Sequence, residues 1–195
     1  MWMLRRTRPR RRPILPRWVL AAASIAGLWA ASAFAAAPEY QLKAVFLFQF
    51  SQFVQWPDAA FAQDGAPFGV CVLGKDPFRR YLDEAVRGER VNGRPFAVKR
   101  FQHVDEVAGC QILFIEPSST LSLESALTEL QGRSILTVAA SRAFAEHGGV
   151  IEFATIDNKL RLRINPQAAR AANLTISSKL LSLATLVERT PESRP

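Results

Sequence analysis

Histidine and cysteine are scarce in this chain: each occurs twice in 195 residues. His103 and His147 lie far apart, in segments read as loops or short helices. Two thiols and two scattered histidines assemble no tetrahedral ligand set, so neither a metal site nor a cofactor is expected. Also missing are a G-x-S-x-G elbow, a phosphate-binding glycine loop and an H-E-x-x-H pair. A catalytic histidine needs a nucleophile or an orienting carboxylate within reach, and the sequence places none. The chain is therefore not read as an enzyme. It also has no internal repeat and no long low-complexity linker.

An excess of charge is missing as well, once its location is considered. The formal net charge of +8 and a pI near 10.3 would suit nucleic acid or anionic lipid. Yet residues 1–17 hold seven arginines and no acid. The apolar run "WVLAAASIAGLWAASAFA" and small residues before Pro38 follow. This is the layout of a secretory signal over 1–37, with cleavage after Ala35 or Ala37. An uncleaved anchor and a twin-arginine signal built on "RRRPIL" are the competing readings. Without residues 1–37, 18 Lys+Arg face 17 Asp+Glu, a net charge of about +1. Nucleic acid loses its main support as a partner. The rest divides into one domain over 38–189, long enough to bury a core, and a disordered tail "TPESRP" over 190–195.

What remains is rich in aromatics at its start. In "EYQLKAVFLFQFSQFVQWP", residues 39–57, a helical period puts Trp56, Leu42, Phe53, Phe46, Phe50, Val54 and Leu47 on one broad side. Lys43 and Gln49 interrupt it, and Pro57 ends it. That side is read as core, although "FLFQF" also alternates as a strand would. Phe48 falls on the far side, in a stripe with Gln41, Gln52 and Gln55. Either this stripe contacts another molecule or a later segment of the same chain covers Phe48.

Three apolar runs follow: "FGVCVLG", "CQILFIEP" and "RSILTVAAS". They read as buried strands. Between them lie two helical segments. "KDPFRRYLDEAVRG" has Asp76 as cap, Pro77 at the first helical position and Gly88 as stop. "SSTLSLESALTELQG" has a Ser/Thr cap and Gly132 beyond its end. "VNGRPFAVKRF" adds a turn and a strand, and "HVDEVAG" one helical turn. The alternation predicts an α/β class: a single three-layer-type domain, its largely parallel central sheet covered by helices on both faces. Residues 148–165 predict a hairpin around Asp157-Asn158. Ile151, Phe153, Leu160, Leu162 and Ile164 would face inward; Glu152, Arg161 and Arg163 would face water. One or two helices close the domain, the last capped by Ser177.

"NLTISSKLL" suggests a site. Ser177, Ser178 and Lys179 would stand at a helix N-terminus, where free N–H groups and the dipole favour an anion. Arg161, Arg163 and Asn165 approach along the hairpin. Together they would hold a phosphate or carboxylate. The bland reading is capping by Ser177 amid ordinary surface charge. The sequon at Asn173 is read as coincidence beside such a leader.

The C-terminal block "GGVIEFATIDNKLRLRINPQAARAANLTISSKLLSLA", taken with "EYQLKAVFLFQFSQFVQWP", resembles the YfiR-like periplasmic proteins from about Glu39 to Val187. The resemblance implies a secreted, non-enzymatic α/β domain, often dimeric. It implies binding to the periplasmic region of an inner-membrane sensor enzyme, a diguanylate cyclase held inactive, and release by an outer-membrane lipoprotein. Cys71 and Cys110 occupy positions where such proteins carry a cysteine pair. The second pair found near the Gly-Gly segment in many members is absent, so redox control attributed to it is not carried over. In an oxidising compartment two cysteines pair more often than not. Neighbouring strands about 4.8 Å apart bring Cα atoms within disulfide reach. Two reduced, buried thiols are the alternative. The combined expectation is a periplasmic, homodimeric repressor of a membrane signalling enzyme, docking through the outer face of the first helix (Gln41, Phe48, Gln52 and Gln55) and through the hairpin with the final helix. The alternative is a periplasmic small-molecule or nucleotide-binding protein.

Overall fold

Residues 39–53 wind into helix α1 with the expected inner side, and the fold assembles outward from it. Ala44, Leu47 and Phe50 are buried. The structure, a computed structural model, describes residues 39–118 and 121–188. The expected leader over 1–37 and the tail over 190–195 lie outside the described residues. α1 ends earlier than expected. Val54–Gln55 leave the helix as strand β1, which pairs antiparallel with β9 (Thr175–Ile176). Leu42, expected in the core, is 48% exposed, and Val45 is 43% exposed. Both lie beyond the edge of the stripe that meets the sheet.

The sheet is built from β2 (Phe68–Leu73), β3 (Arg90–Val91), β4 (Arg94–Phe101), β5 (Ile112–Ile115), β6 (Leu136–Ala139), β7 (Ile151–Ile156), β8 (Lys159–Ile164) and β10 (Thr185–Leu186). Its order is β10-β8-β7-β6-β5-β2-β4-β3. The run from β4 to β7 is parallel, β8 returns antiparallel as the expected hairpin, and β10 is parallel to β8. β3 forms a second, short hairpin with β4 through Asn92 and Gly93, both at positive φ. β2 and β5 are buried along their whole length, which is why each reads as an unbroken apolar run.

Helices cover both faces, as the alternation implied. On one face α1, α2 (Arg80–Val86), α4 (Pro166–Ala171) and α5 (Ser178–Leu181) supply Phe50, Leu82, Ala169 and Leu180. These meet Val70, Val72, Ile112, Phe114 and Phe153. On the other, α3 (Leu123–Glu129) and the segment 141–149 supply Ala126 and Phe144 against Leu73, Leu113 and Ala139. Ser122 caps α3 as expected, accepting from Ser125 N–H at 3.3 Å.

Two local expectations change. α2 starts at Arg80, three residues later than its sequence signals. The Asp76 carboxylate accepts from the N–H groups of Phe78 and Arg79, closing a turn, and Arg79 takes φ 52°. Glu152, expected on a wet face, is buried because residues 141–149 fold over it. Gly149 permits that approach: a Cβ there would lie 2.2 Å from the Phe144 ring.

Candidate interaction surface

The outward side of α1 carries Gln41, Leu42, Val45, Phe48, Gln49 and Gln52. It holds apolar and amide groups and no charge, and all but Phe48 are exposed. Phe48 is half-buried: its ring meets that of Phe96 on β4 edge-on, with centroids 5.4 Å apart. One edge of the ring therefore has an internal partner. Gln55 lies beyond the helix, exposed on β1. Gln41, Phe48 and Gln52 thus share the outward side of α1, while Gln55, on β1, is not part of that helix.

The expected anion site is not assembled. β8 alternates, so Leu162 and Ile164 join the α1 side while Arg161 and Arg163 project from the opposite face. Leu180, next to Lys179, packs in the α1-side core. The sheet therefore separates the hairpin arginines from Ser177 and Ser178. Arg163 is also occupied. Its guanidinium pairs with Glu146 and, at 3.2 Å, with Glu152. The hydrogen bond to Glu146 raises its pKa most, against desolvation. Asn165 caps α4, accepting from Gln167 and Ala168 N–H, and donates to Ala145 O at 2.8 Å. Ser177 caps α5, accepting from Leu180 N–H. The Lys179 ammonium lies 5.7 Å from the Phe53 ring centroid.

Three features had no local sequence signal. The first is the carboxyl ends of β2 and β5, where the strand order reverses. In open α/β sheets this is the place for ligands. Lys43 stands there, 3% exposed, paired with Glu39 and 4.6 Å from the Tyr40 ring centroid. Burial holds the Glu116 carboxyl above its ordinary pKa, opposed by Lys43, and burial also raises the Tyr40 phenol, with Glu116 and Glu39 adding to it. Gly74 is forced by the same closeness, since a Cβ would lie 2.4 Å from Glu116 O.

This predicts a pH effect. Native Glu116 keeps its proton to higher pH than the unfolded chain does. Its share of stability is therefore full below the ordinary carboxyl pKa and declines as pH rises through the raised value. Glu116→Gln should flatten that decline in urea titrations between pH 4 and 7. An unchanged slope would count against the assignment.

The second is the buried amide of Gln111. It accepts from Gly69 N–H at 2.6 Å and donates to Ala60 O at 2.7 Å, while the Gln111 carbonyl accepts from the Trp56 indole at 3.0 Å. It thereby fastens the segment after α1 to the sheet. The third is a groove of about 910 Å³ past the amino ends of β6 and β7, reached by both α3 and α4, with Leu127, Arg133, Ile135, His147 and Ala168 among its lining residues. His103 lies apart from it, at the turn before β5. No cluster of three or more His, Cys, Asp or Glu with metal-holding geometry occurs among the described residues.

Cys71 and Cys110 form a disulfide, their Cα atoms 5.9 Å apart. Both sulfurs belong to the core on the α3 side. No helix among the described residues is long and apolar enough to cross a membrane.

Residues 40–185 match a family model described as YfiR/HmsC-like. No characterised protein compared with the chain matches it significantly. Among solved structures, the chain is similar to the ABC domain in complex with L-Trp from Streptococcus pneumonia. The identity is 13%, 62% of this chain and 55% of that chain are covered, and the TM-score is 0.44. The chain thus spans about half the length of that structure, a likeness too weak to bear on function.

Proposed function

The chain belongs to the YfiR/HmsC-like family, and from that premise we propose that it is a periplasmic regulatory protein of c-di-GMP signalling. It represses a membrane-bound diguanylate cyclase by stoichiometric contact with the enzyme's periplasmic region. The family match over 40–185 carries this reading. The uncharged outer side of α1 supports a docking role, since interface cores are depleted in charge and enriched in aromatics. Gln41, Phe48, Gln52 and Gln55 make the contact. The mechanism is a population shift: the regulator binds the inactive arrangement of the cyclase more tightly, and a competing ligand such as an outer-membrane lipoprotein releases it. A homodimer would present two such faces.

The test is cyclase activity in membranes with increasing amounts of the exported protein. Activity should fall to its floor near one equivalent. Phe48→Ala should weaken inhibition roughly tenfold, as loss of an aromatic anchor does. Gln52→Arg, exposed and outside the core, should weaken it without a change in Tm. Unchanged inhibition by both variants rejects the α1 contact; no inhibition at any ratio rejects the repressor reading.

The groove reached by α3 and α4 favours a second reading, a periplasmic small-molecule or nucleotide-binding protein. A small molecule retained on purification, with the cyclase unaffected, would shift weight to it.

A further inference from the structure

We propose that the edge of the domain formed by α2, β3 and β4 rests on an anionic phospholipid surface. The near-neutral domain hides a charge separation. Residues 75–100 hold eight Lys+Arg against four Asp+Glu, whereas the other described residues hold eight against twelve. The fold gathers the basic stretch at one place: β3 and β4 end the eight-stranded sheet, and α2 packs on β4.

Internal pairing removes little of this excess. Arg100 is held by Asp76 and Asp83, and Arg80 by Glu84 at 3.6 Å. Lys75, Arg79, Arg87, Arg90, Arg94 and Lys99 have no carboxylate partner among the described residues. Arg90, Arg94 and Lys99 donate only to backbone carbonyls. The side chains of Lys75, Arg79 and Arg87 are exposed and make no hydrogen bond or ion pair there.

Two features favour lipid over an acidic protein. None of the exposed large apolar residues, Leu42, Val45, Ile156, Leu183 and Leu186, belongs to α2, β3 or β4, and protein contacts draw their affinity from buried anchors. Cations on long side chains spread along an edge suit a headgroup layer, where each adds independently. Edge charges also block strand pairing, but that need would not extend to Lys75, Arg79 and Arg87, which lie off the strands. The inference rests on the membrane-bound partner proposed above, which brings the protein to such a surface.

The experiment is flotation of the exported protein with vesicles of phosphatidylcholine alone or with 30% phosphatidylglycerol, at about 50 and 300 mM NaCl. The protein should float with the anionic vesicles only, and far less at the higher salt. Lys75→Gln/Arg79→Gln/Arg87→Gln should keep its Tm and lose roughly a hundredfold in partitioning, about fivefold per cation. Equal recovery with both vesicles, or a variant that floats like the wild type, overturns the proposal. So does a variant that loses the membrane enzyme when neither form floats; the edge would then meet an acidic protein. The vesicles contain no protein, so the cyclase reading stands or falls separately.

Discussion

Replacing Cys71 and Cys110 together by alanine should lower the unfolding free energy by about 4 kcal/mol. The disulfide spans a sequence separation of 39, and closing a loop of that length removes chain entropy from the unfolded state in roughly this amount. For a domain of this size the loss corresponds to a fall in Tm of roughly 10 °C. A second readout separates this mechanism from lost packing. The unlinked chain unfolds to a more expanded ensemble, so the urea m-value should rise in the variant. The loop contains α2, β3 and β4, so the link ties the basic edge to the centre of the sheet. Reduction of the unfolded wild type before refolding should reproduce both changes. A variant with the wild-type Tm would show that the bond contributes nothing beyond two small buried side chains.

The sheet was legible because its central strands are buried on both faces. Residues 68–73 and 112–115 then read as continuous apolar runs, with no polar position to confuse the period. The inner side of α1 was legible from its 3.6-residue period. Leu42 was not, because hydrophobicity marks a stripe but not how wide a stripe the sheet can cover. The late start of α2 was hidden because Asp76 and Pro77 serve a turn as well as a helix.

The candidate site fared worse, for a geometric reason. Ser177–Lys179 follow Arg161 and Arg163 closely in sequence, but the sheet lies between them once β8 alternates. Nearness along the chain does not bring these groups together across the sheet. The influence of Lys43 on Glu116, and the bonds of Gln111 with Gly69 and Ala60, join remote elements through ordinary polar residues. Nothing local announces them. The basic edge was invisible for the opposite reason: its charges are cancelled in the total by acids elsewhere on the domain.

Arg163→Met should be the most damaging single substitution on the hairpin. Alternation correctly placed Glu152 and Arg163 on one side of the sheet, but it does not tell whether that side is covered. Residues 141–149 cover it. The Glu152 side chain is 3% exposed, accepts from Ala145 N–H at 3.3 Å and is paired with Arg163. Removing the guanidinium leaves a buried carboxylate with no cation beside it, at a cost of about 3–5 kcal/mol. Glu146 loses the same partner, so residues 141–149 should exchange their amide protons faster. A control follows from the physics. Glu152→Gln added to Arg163→Met removes the stranded charge, so the double variant should be more stable than Arg163→Met alone. If the two substitutions simply add, the covering segment is held by its apolar contacts, with Phe144 foremost, and the ion pairs are incidental to it.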